Sequence, residues 1–208
     1  VPGHDEGLRD VFQEERGFKG KLTVVTCAGW TRGDLYDRTG LLWVNPSPNM
    51  RSLTEALLYP GVGLLEATNL ATGRGTDTPF ERVGAPYIDP TRFAAALNDL
   101  GLPGVRFVPI RFQPSERQYA GTDCGGVFIQ ITERSVFDPI DVGLGMAVVL
   151  REQYAAHWKP DGLLRFVCRR KLYDALLAGA SLRELRAMCA EDEKAFRERR
   201  RPYLLYSE

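Results

Sequence analysis

The segment of residues 65–81 constrains the fold more than any other part of the chain. It follows a short apolar run at 61–65, which predicts a buried strand, and it is dense in carboxylate, amide, arginine and threonine side chains. Gly73 and Gly75 flank Arg74, so the backbone there can adopt angles closed to other residues. Polar groups this dense are costly to bury unless a ligand or a hydrogen-bond network satisfies them. Polar loops at the ends of buried strands commonly carry the sites of α/β proteins, so we expect a site here.

Composition indicates an ordinary globular protein without a strongly charged partner. The 208 residues are 44% hydrophobic and allow one sizeable domain, and 27 Lys+Arg balance 27 Asp+Glu. The absence of net charge argues against nucleic-acid binding, and no apolar run reaches the roughly 20 residues of a membrane span. Two histidines, and four cysteines without Cys-x-x-Cys spacing, predict neither a metal nor another cofactor.

Periodicity and capping signals predict an α/β fold, with α+β as the alternative, built on a mixed sheet with flanking helices. Capping boxes begin helices at Ser52 and Ser181, and Asp89-Pro90 begins another. The helical C-terminal section is predicted over 140–208. The predicted elements are a helix at 6–16, a strand at 21–27, a loop at 31–50, a helix at 52–60, strands at 61–65, 105–112 and 125–132, and helices at 90–100, 140–154, 163–177 and from 182 onward.

Several longer strings carry a family resemblance. The main ones are Trp43-Val-Asn-Pro-Ser-Pro-Asn-Met50, the stretch 73–81 and Gly84-Ala-Pro-Tyr87. Further matches are Leu22-Thr-Val-Val25, Gly29-Trp30, Tyr119-Ala-Gly121, Cys124-Gly-Gly-Val127 and Arg200-Arg-Pro-Tyr-Leu-Leu-Tyr206. In these strings the chain resembles the NamZ-type exo-β-N-acetylmuramidases, which are bacterial peptidoglycan hexosaminidases.

The resemblance implies that residues 1–208 form a single domain corresponding to the C-terminal domain of the family. Members have a preceding Rossmann-like domain, whose Glu-His-Gly stretch holds the acid thought to be catalytic. This chain has no Glu-His-Gly, and it begins with Val1 rather than Met. We therefore expect a fragment or a stand-alone second domain whose partners are a peptidoglycan-derived sugar and a Rossmann-like domain, in the same or a separate chain. The resemblance also implies a periplasmic or extracellular location.

The resemblance further implies a pocket for N-acetylmuramic acid. Arg74 would bind the lactyl carboxylate bidentately, Asn69 and Thr76 would read the hydroxyls or the acetamido group, and Tyr87 would stack on the sugar, where many members have tryptophan. The implied substrate-binding residues are Asn49, Glu66, Asn69, Arg74, Thr76, Phe80, Glu81 and Tyr87. From the residues alone, Glu66, Asn69 and Arg74 equally fit an internal network that holds the loop.

Two further catalytic interpretations stay open in the sequence. Glu66 and Glu81 could be the acid/base pair of a glycosidase, although the resemblance places the acid upstream. Cys124 could be a nucleophile served by a histidine, or a small residue before a Gly-Gly bulge. The prediction is a pocket-forming part of a glycoside hydrolase that releases terminal N-acetylmuramic acid. The alternatives are a non-catalytic carbohydrate-binding domain and a scaffold domain.

Overall fold

The computed structural model describes residues 15–17 and 23–207, so most of the predicted helix at 6–16 lies outside the described residues. The helices are α1 (Leu53–Val62), α2 (Pro90–Asp99), α3 (Pro139–Tyr154), α4 (Leu164–Val167), α5 (Arg170–Leu177) and α6 (Leu182–Arg200). The strands are β1 (Arg82–Ala85), β2 (Val105–Phe112) and β3 (Cys124–Ile131). Short 3₁₀ helices lie at Tyr36–Thr39, Gly63–Ala67, Asp161–Leu163 and Arg201–Tyr203.

The described strands form a three-stranded sheet in the order β1-β3-β2. Both pairings are antiparallel, with Arg82 opposite Phe128 in one pair and Phe112 opposite Cys124 in the other. The mixed α/β class with flanking helices is confirmed, but the expected mixed sheet is antiparallel throughout. The register is continuous across Gly125-Gly126, so the predicted bulge there is wrong. Side-chain room explains these glycines, because a Cβ on Gly126 would lie 2.1 Å from the carbonyl oxygen of Val83.

The predicted strand at 61–65 is wrong, because this apolar run continues a helix. Helix α1 begins at the Ser52 capping box, runs through Pro60 and passes into the 3₁₀ helix Gly63–Ala67. Gly61 packs directly against α3, where a Cβ on Gly143 would lie 2.4 Å from the Gly61 carbonyl oxygen. The two helices therefore approach each other closely at this pair of glycines. A short apolar run fits either a strand or a helix, and burial against α3 decides the outcome here.

The predicted strand at 21–27 is not observed in its described part. Residues 23–27 have no strand partner among the residues that the structure describes, and Val25 is 88% exposed. β-Branched residues favour a pleated surface, but a strand also needs a neighbouring strand to bond with. Conversely, β1 was not predicted; its four residues, Arg82–Ala85, are too few to show alternation, and pairing with β3 defines them.

The helical C-terminal section is confirmed, with one interruption. Instead of one helix at 163–177, α4 ends at Cys168, which has a left-handed backbone with φ of 51°, and α5 follows. The Ser181 capping box is formed with Glu184. All four cysteines are free. No described helix has both the length and the apolar character that crossing a bilayer requires.

The described residues divide into two units. The larger, Val44–Met188, contains the sheet and α1 to α5, with a core that includes Phe93, Leu97 and Ile129. The smaller combines described residues before position 44 with the chain after Met188. In it the Trp30 and Tyr206 rings meet edge to face at 4.7 Å, and the hydroxyl of Tyr206 accepts a hydrogen bond from the amide of Cys27 at 2.9 Å.

Candidate functional site

The glycine loop, which we define as residues 68–81, holds an ion pair at its centre. Nε of Arg74 donates a hydrogen bond to Oε1 of Glu66, which stands at the end of the 3₁₀ helix Gly63–Ala67. This bond raises the pKa of the Arg74 guanidinium above its usual value, so the guanidinium stays charged. The Nη groups of Arg74 make no hydrogen bond within the described part of the chain, and 29% of the side chain is exposed. Glu66 therefore fixes the guanidinium while leaving its outer edge available to a ligand.

The loop between β2 and β3, residues 113–123, is held against the glycine loop. Both the amide and the hydroxyl of Ser115 donate to the carbonyl of Gly75, at 2.8 and 2.9 Å. Gly75 has φ of +77°, and a Cβ there would lie 2.5 Å from the amide nitrogen of Glu116. Glycine at this position is needed both for the backbone angle and for the close approach.

A cleft of about 470 Å³ opens between these two loops. Its lining combines one carboxylate and two guanidinium groups with small and apolar side chains: Glu66, Leu70, Ala71, Thr72, Arg74, Arg117 and Gln118. The structure therefore brings the predicted residues Glu66 and Arg74 into a cleft. It adds Arg117 and Gln118, which the sequence did not reveal because β1, α2 and β2 separate them from Arg74 in the chain. The nearest sequence signal was the neighbouring Tyr119-Ala-Gly121 string.

Two further residues of the glycine loop, Thr76 and Phe80, make their contacts within the loop or beneath it. The Thr76 hydroxyl donates to the carbonyl of Gly73 at 2.6 Å and accepts from the amide of Thr78 at 3.3 Å. Phe80 is buried, packs edge to face on Tyr59 at 5.0 Å and lies 5.4 Å below the Arg74 guanidinium. Neither residue lines the cleft. Their geometry gives them the task of shaping the loop around Arg74.

Asn69 and Tyr87 form a second cluster, which ties the glycine loop to residues 157–159. The Asn69 side chain donates to the carbonyl of His157 at 2.8 Å and accepts from the amide of Lys159 at 2.7 Å. The Tyr87 hydroxyl donates to the carbonyl of Asn69 at 3.2 Å, and its ring stacks on His157 at 5.6 Å. Burial raises the pKa of Tyr87, which keeps this hydroxyl a donor. The Asn69 side chain thus serves the internal-network alternative, and neither residue lines the cleft.

Asn49 belongs to a tight corner at residues 47–50. Its amide donates to the hydroxyl of Ser47 at 3.2 Å, and the amide of Met50 donates to the Ser47 carbonyl at 3.0 Å. Arg51 connects this corner to the glycine loop, because its guanidinium donates to the carbonyls of Pro48 at 3.0 Å and Thr76 at 3.5 Å. Asn49 does not line the cleft, and Ser52 is the cap of α1.

Glu81 lies away from the cleft lining and near a different carboxylate. Burial, followed by repulsion from Glu55, raises the pKa of Glu81 above its usual value. Glu55 is fully buried, where its carboxylate accepts hydrogen bonds from the amides of Arg51 and Ser52. Within the described residues the cleft lining therefore holds one carboxylate, Glu66, rather than the pair that a glycosidase needs.

Cys124 is a buried thiol in β3. Burial, followed by the charge of Asp123, raises its pKa to about 11, so the thiolate form is scarce at neutral pH. It packs with Ala71 and Phe112 in an apolar cluster, and its Sγ lies 3.6 Å from the carbonyl of Thr122. This environment fits the structural interpretation and not an activated nucleophile. Among residues 15–17 and 23–207, no group of His, Cys, Asp and Glu side chains is arranged to hold a metal ion.

Comparison with protein families identifies the chain. The model for the C-terminal domain of exo-β-N-acetylmuramidase NamZ matches residues 57–206, a range that contains the cleft and the whole sheet. The chain belongs to the NamZ family. The model for the N-terminal domain of NamZ matches residues 7–54, which corrects the expectation that the resemblance is confined to the C-terminal part. The assignment of residues 1–208 to a single domain stays a prediction.

Individual relatives agree with the NamZ assignment. The peptidoglycan β-N-acetylmuramidase NamZ of Bacillus subtilis (strain 168) is 40% identical over 147 residues, which span 71% of this chain and 36% of the relative. The chain thus spans little more than a third of that protein. Two crystal structures of DUF1343 family proteins from Bacteroides fragilis NCTC 9343 share the fold, with TM-scores of 0.75 and 0.74 at 24% and 22% identity. They cover 97% and 98% of this chain, which covers 56% and 55% of theirs.

Proposed function

We propose that this chain forms the substrate-binding part of a glycoside hydrolase that releases terminal N-acetylmuramic acid from peptidoglycan. The NamZ family match over residues 57–206 is the observation that carries the proposal. The relative from Bacillus subtilis is named for this activity, and the matched range includes both loops of the cleft. A cleft of about 470 Å³ has the size expected for a small-molecule site.

The chemistry of the cleft suits a sugar that carries a carboxylate. N-acetylmuramic acid differs from N-acetylglucosamine by its lactyl ether, whose carboxylate is charged at neutral pH. The outer edge of the Arg74 guanidinium can donate two parallel hydrogen bonds to this carboxylate. The hydrogen bond from Arg74 to Glu66 holds the guanidinium plane in place. Orientation fixed before binding reduces the entropy lost when the ligand binds.

The acid that protonates the leaving group is proposed to come from outside this chain. Hydrolysis of a glycosidic bond needs two carboxyl groups about 5–9 Å apart. Glu66 is the only carboxylate of the described cleft lining, so the pair is incomplete there, and Glu66 is already engaged in an ion pair with Arg74. A Rossmann-like domain is the proposed source of the acid, and this chain would then orient the sugar.

The presence of one paired carboxylate also favours a second candidate, a carbohydrate-binding domain without turnover of its own. Hydrolysis of a chromogenic N-acetylmuramic acid β-glycoside separates the two. The 208-residue chain would be assayed alone and after addition of the Rossmann-like part of a NamZ relative. We expect no turnover alone and turnover with the added part. Binding without turnover in both assays would support the binding-only domain.

A binding assay tests the site itself. Arg74→Ala is expected to weaken binding of N-acetylmuramic acid far more than binding of N-acetylglucosamine, because only the former carries the carboxylate. Arg92→Ala is a matched control, since Arg92 is exposed on α2 and does not line the cleft. Equal losses for both sugars would overturn the assignment of Arg74 to the carboxylate.

A further inference from the structure

A second arginine of the cleft, Arg117, is in a position to decide its charge. Glu66 neutralises Arg74, so the remaining ionised group of the lining is the Arg117 guanidinium. Within the described residues, its side chain has neither an ion pair nor a hydrogen bond. A cation without a counter-ion in a concave surface attracts anionic ligands, since concave walls concentrate its field. The lining residues thus carry one net positive charge, and the carboxylate of Glu116, which precedes Arg117 in the chain, acts electrostatically on Arg74.

The backbone around Arg117 is held in an unusual conformation. Arg117 and Tyr119 are non-glycine residues with positive φ, 65° and 62°. Such angles disfavour ordinary side chains and persist only where surrounding contacts impose them. Here the contacts are visible: Ser115 bonds to Gly75 on one side of Arg117, and the Tyr119 hydroxyl donates to the carbonyl of Asn69 at 3.1 Å on the other. The loop is fixed at both ends, with Arg117 between them.

We propose that Arg117 reads the carboxylate of the sugar and makes the cleft selective for the charged form of the ligand. This inference rests on the proposed function and assigns the net charge of the site to a residue outside the glycine loop. Arg74 supplies shape and directed donors, but Glu66 cancels its charge. Arg117 supplies the uncompensated charge that distinguishes a carboxylate from a neutral group of the same shape.

The test compares N-acetylmuramic acid with the methyl ester of its lactyl carboxylate, which has a similar shape but no charge. Dissociation constants for both would be measured by calorimetric titration of the 208-residue chain. We expect the wild type to bind the acid about tenfold or more tightly than the ester, as charge-assisted hydrogen bonds allow. High salt should reduce this ratio, because it screens the charge of an exposed guanidinium.

Three variants isolate the charge of Arg117. Arg117→Gln keeps a polar side chain but removes the charge, so the preference for the acid should fall to about twofold or less. Arg117→Lys keeps the charge and should retain part of the preference. Arg106→Ala is the control, because Arg106 is exposed on β2 and outside the cleft lining, and it should bind like the wild type. Equal thermal melting of all variants would show that the fold is intact.

The outcomes distinguish this inference from the proposed function. If Arg117→Gln keeps the full preference for the acid, the role of Arg117 is refuted and the proposed pocket stands. If the wild type binds acid and ester equally, charge reading is refuted, although a sugar site remains. Binding of neither ligand would refute the proposed pocket and the role of Arg117 together.

Discussion

Replacing Gly75 with alanine should both destabilise the protein and disturb the cleft. Gly75 has φ of +77°, and its carbonyl accepts the two hydrogen bonds from Ser115 that hold the 113–123 loop. An alanine Cβ would lie 2.5 Å from the backbone nitrogen of Glu116 and 3.0 Å from its carbonyl oxygen. Because these are backbone atoms, the overlap cannot be relieved by a side-chain rotation alone.

Two costs combine in Gly75→Ala. A left-handed backbone costs a non-glycine residue about 1–2 kcal/mol. Forcing a methyl group into a space that is already filled costs about 1–3 kcal/mol more. Gly101→Ala provides the matched control, because Gly101 has φ of +64° but no atom within 4 Å of the added Cβ. Gly101→Ala should therefore pay only the backbone cost and lose about 1–2 kcal/mol of free energy of unfolding.

Urea unfolding of the wild type and both variants measures the difference. We expect Gly75→Ala to lose about 1–3 kcal/mol more free energy of unfolding than Gly101→Ala. N-acetylmuramic acid should also bind more weakly to Gly75→Ala, because the 113–123 loop would move away from the glycine loop. Its affinity for Gly101→Ala should equal that of the wild type. Equal stability losses in the two variants would refute the close packing of the loops.

Three further predictions concern single side chains. Asn69→Ala should lower the free energy of unfolding by about 1–2 kcal/mol, measured by urea unfolding, because it removes two hydrogen bonds to residues 157–159. An unchanged stability would contradict this. Burial raises the folded-state pKa of Glu81 above its ordinary value of 4.5. Protonated Glu81 therefore favours the folded state at pH values below 4.5, and this contribution to stability is lost as the pH rises through the folded-state pKa. In the same urea assay, Glu81→Gln should therefore be more stable than the wild type at pH 7 and equally stable below pH 4.5. A stability difference that persists below pH 4.5 would contradict burial as the cause of the raised pKa. Finally, the Cys124 thiol should resist iodoacetamide at pH 8 in the native protein, as judged by mass spectrometry, while the exposed thiols of Cys27 and Cys168 react. Rapid native labelling of Cys124 would refute its burial.

Elements with strong local signals were predicted correctly. The Ser52 and Ser181 capping boxes form as expected, and Asp89 caps α2, whose first residue is Pro90. Strand β2 has the predicted limits and β3 differs by one residue at each end. These signals depend on groups a few residues apart, so they persist in the fold.

Errors arose where distant parts of the chain decide the conformation. The apolar run at 61–65 is helical because Gly61 packs on Gly143. Residues 23–27 are suited to a strand but have no strand partner in the described part of the chain. The site shows the same division. The glycine loop around Arg74 was predicted from composition, whereas the roles of Asn69 and Tyr87 in internal bonding depend on residues 157–159.

The sequence by itself determined the family, the helix starts, the two long strands and the position of the glycine loop. Each of these features depends on residue types a few positions apart, so a short segment of the sequence is enough to predict it. Only the tertiary structure decided that Glu66 engages Arg74 and that Arg117 joins them across the cleft. Those juxtapositions depend on how the 113–123 loop docks on Gly75, and contacts between segments tens of residues apart follow from packing, which no local pattern encodes.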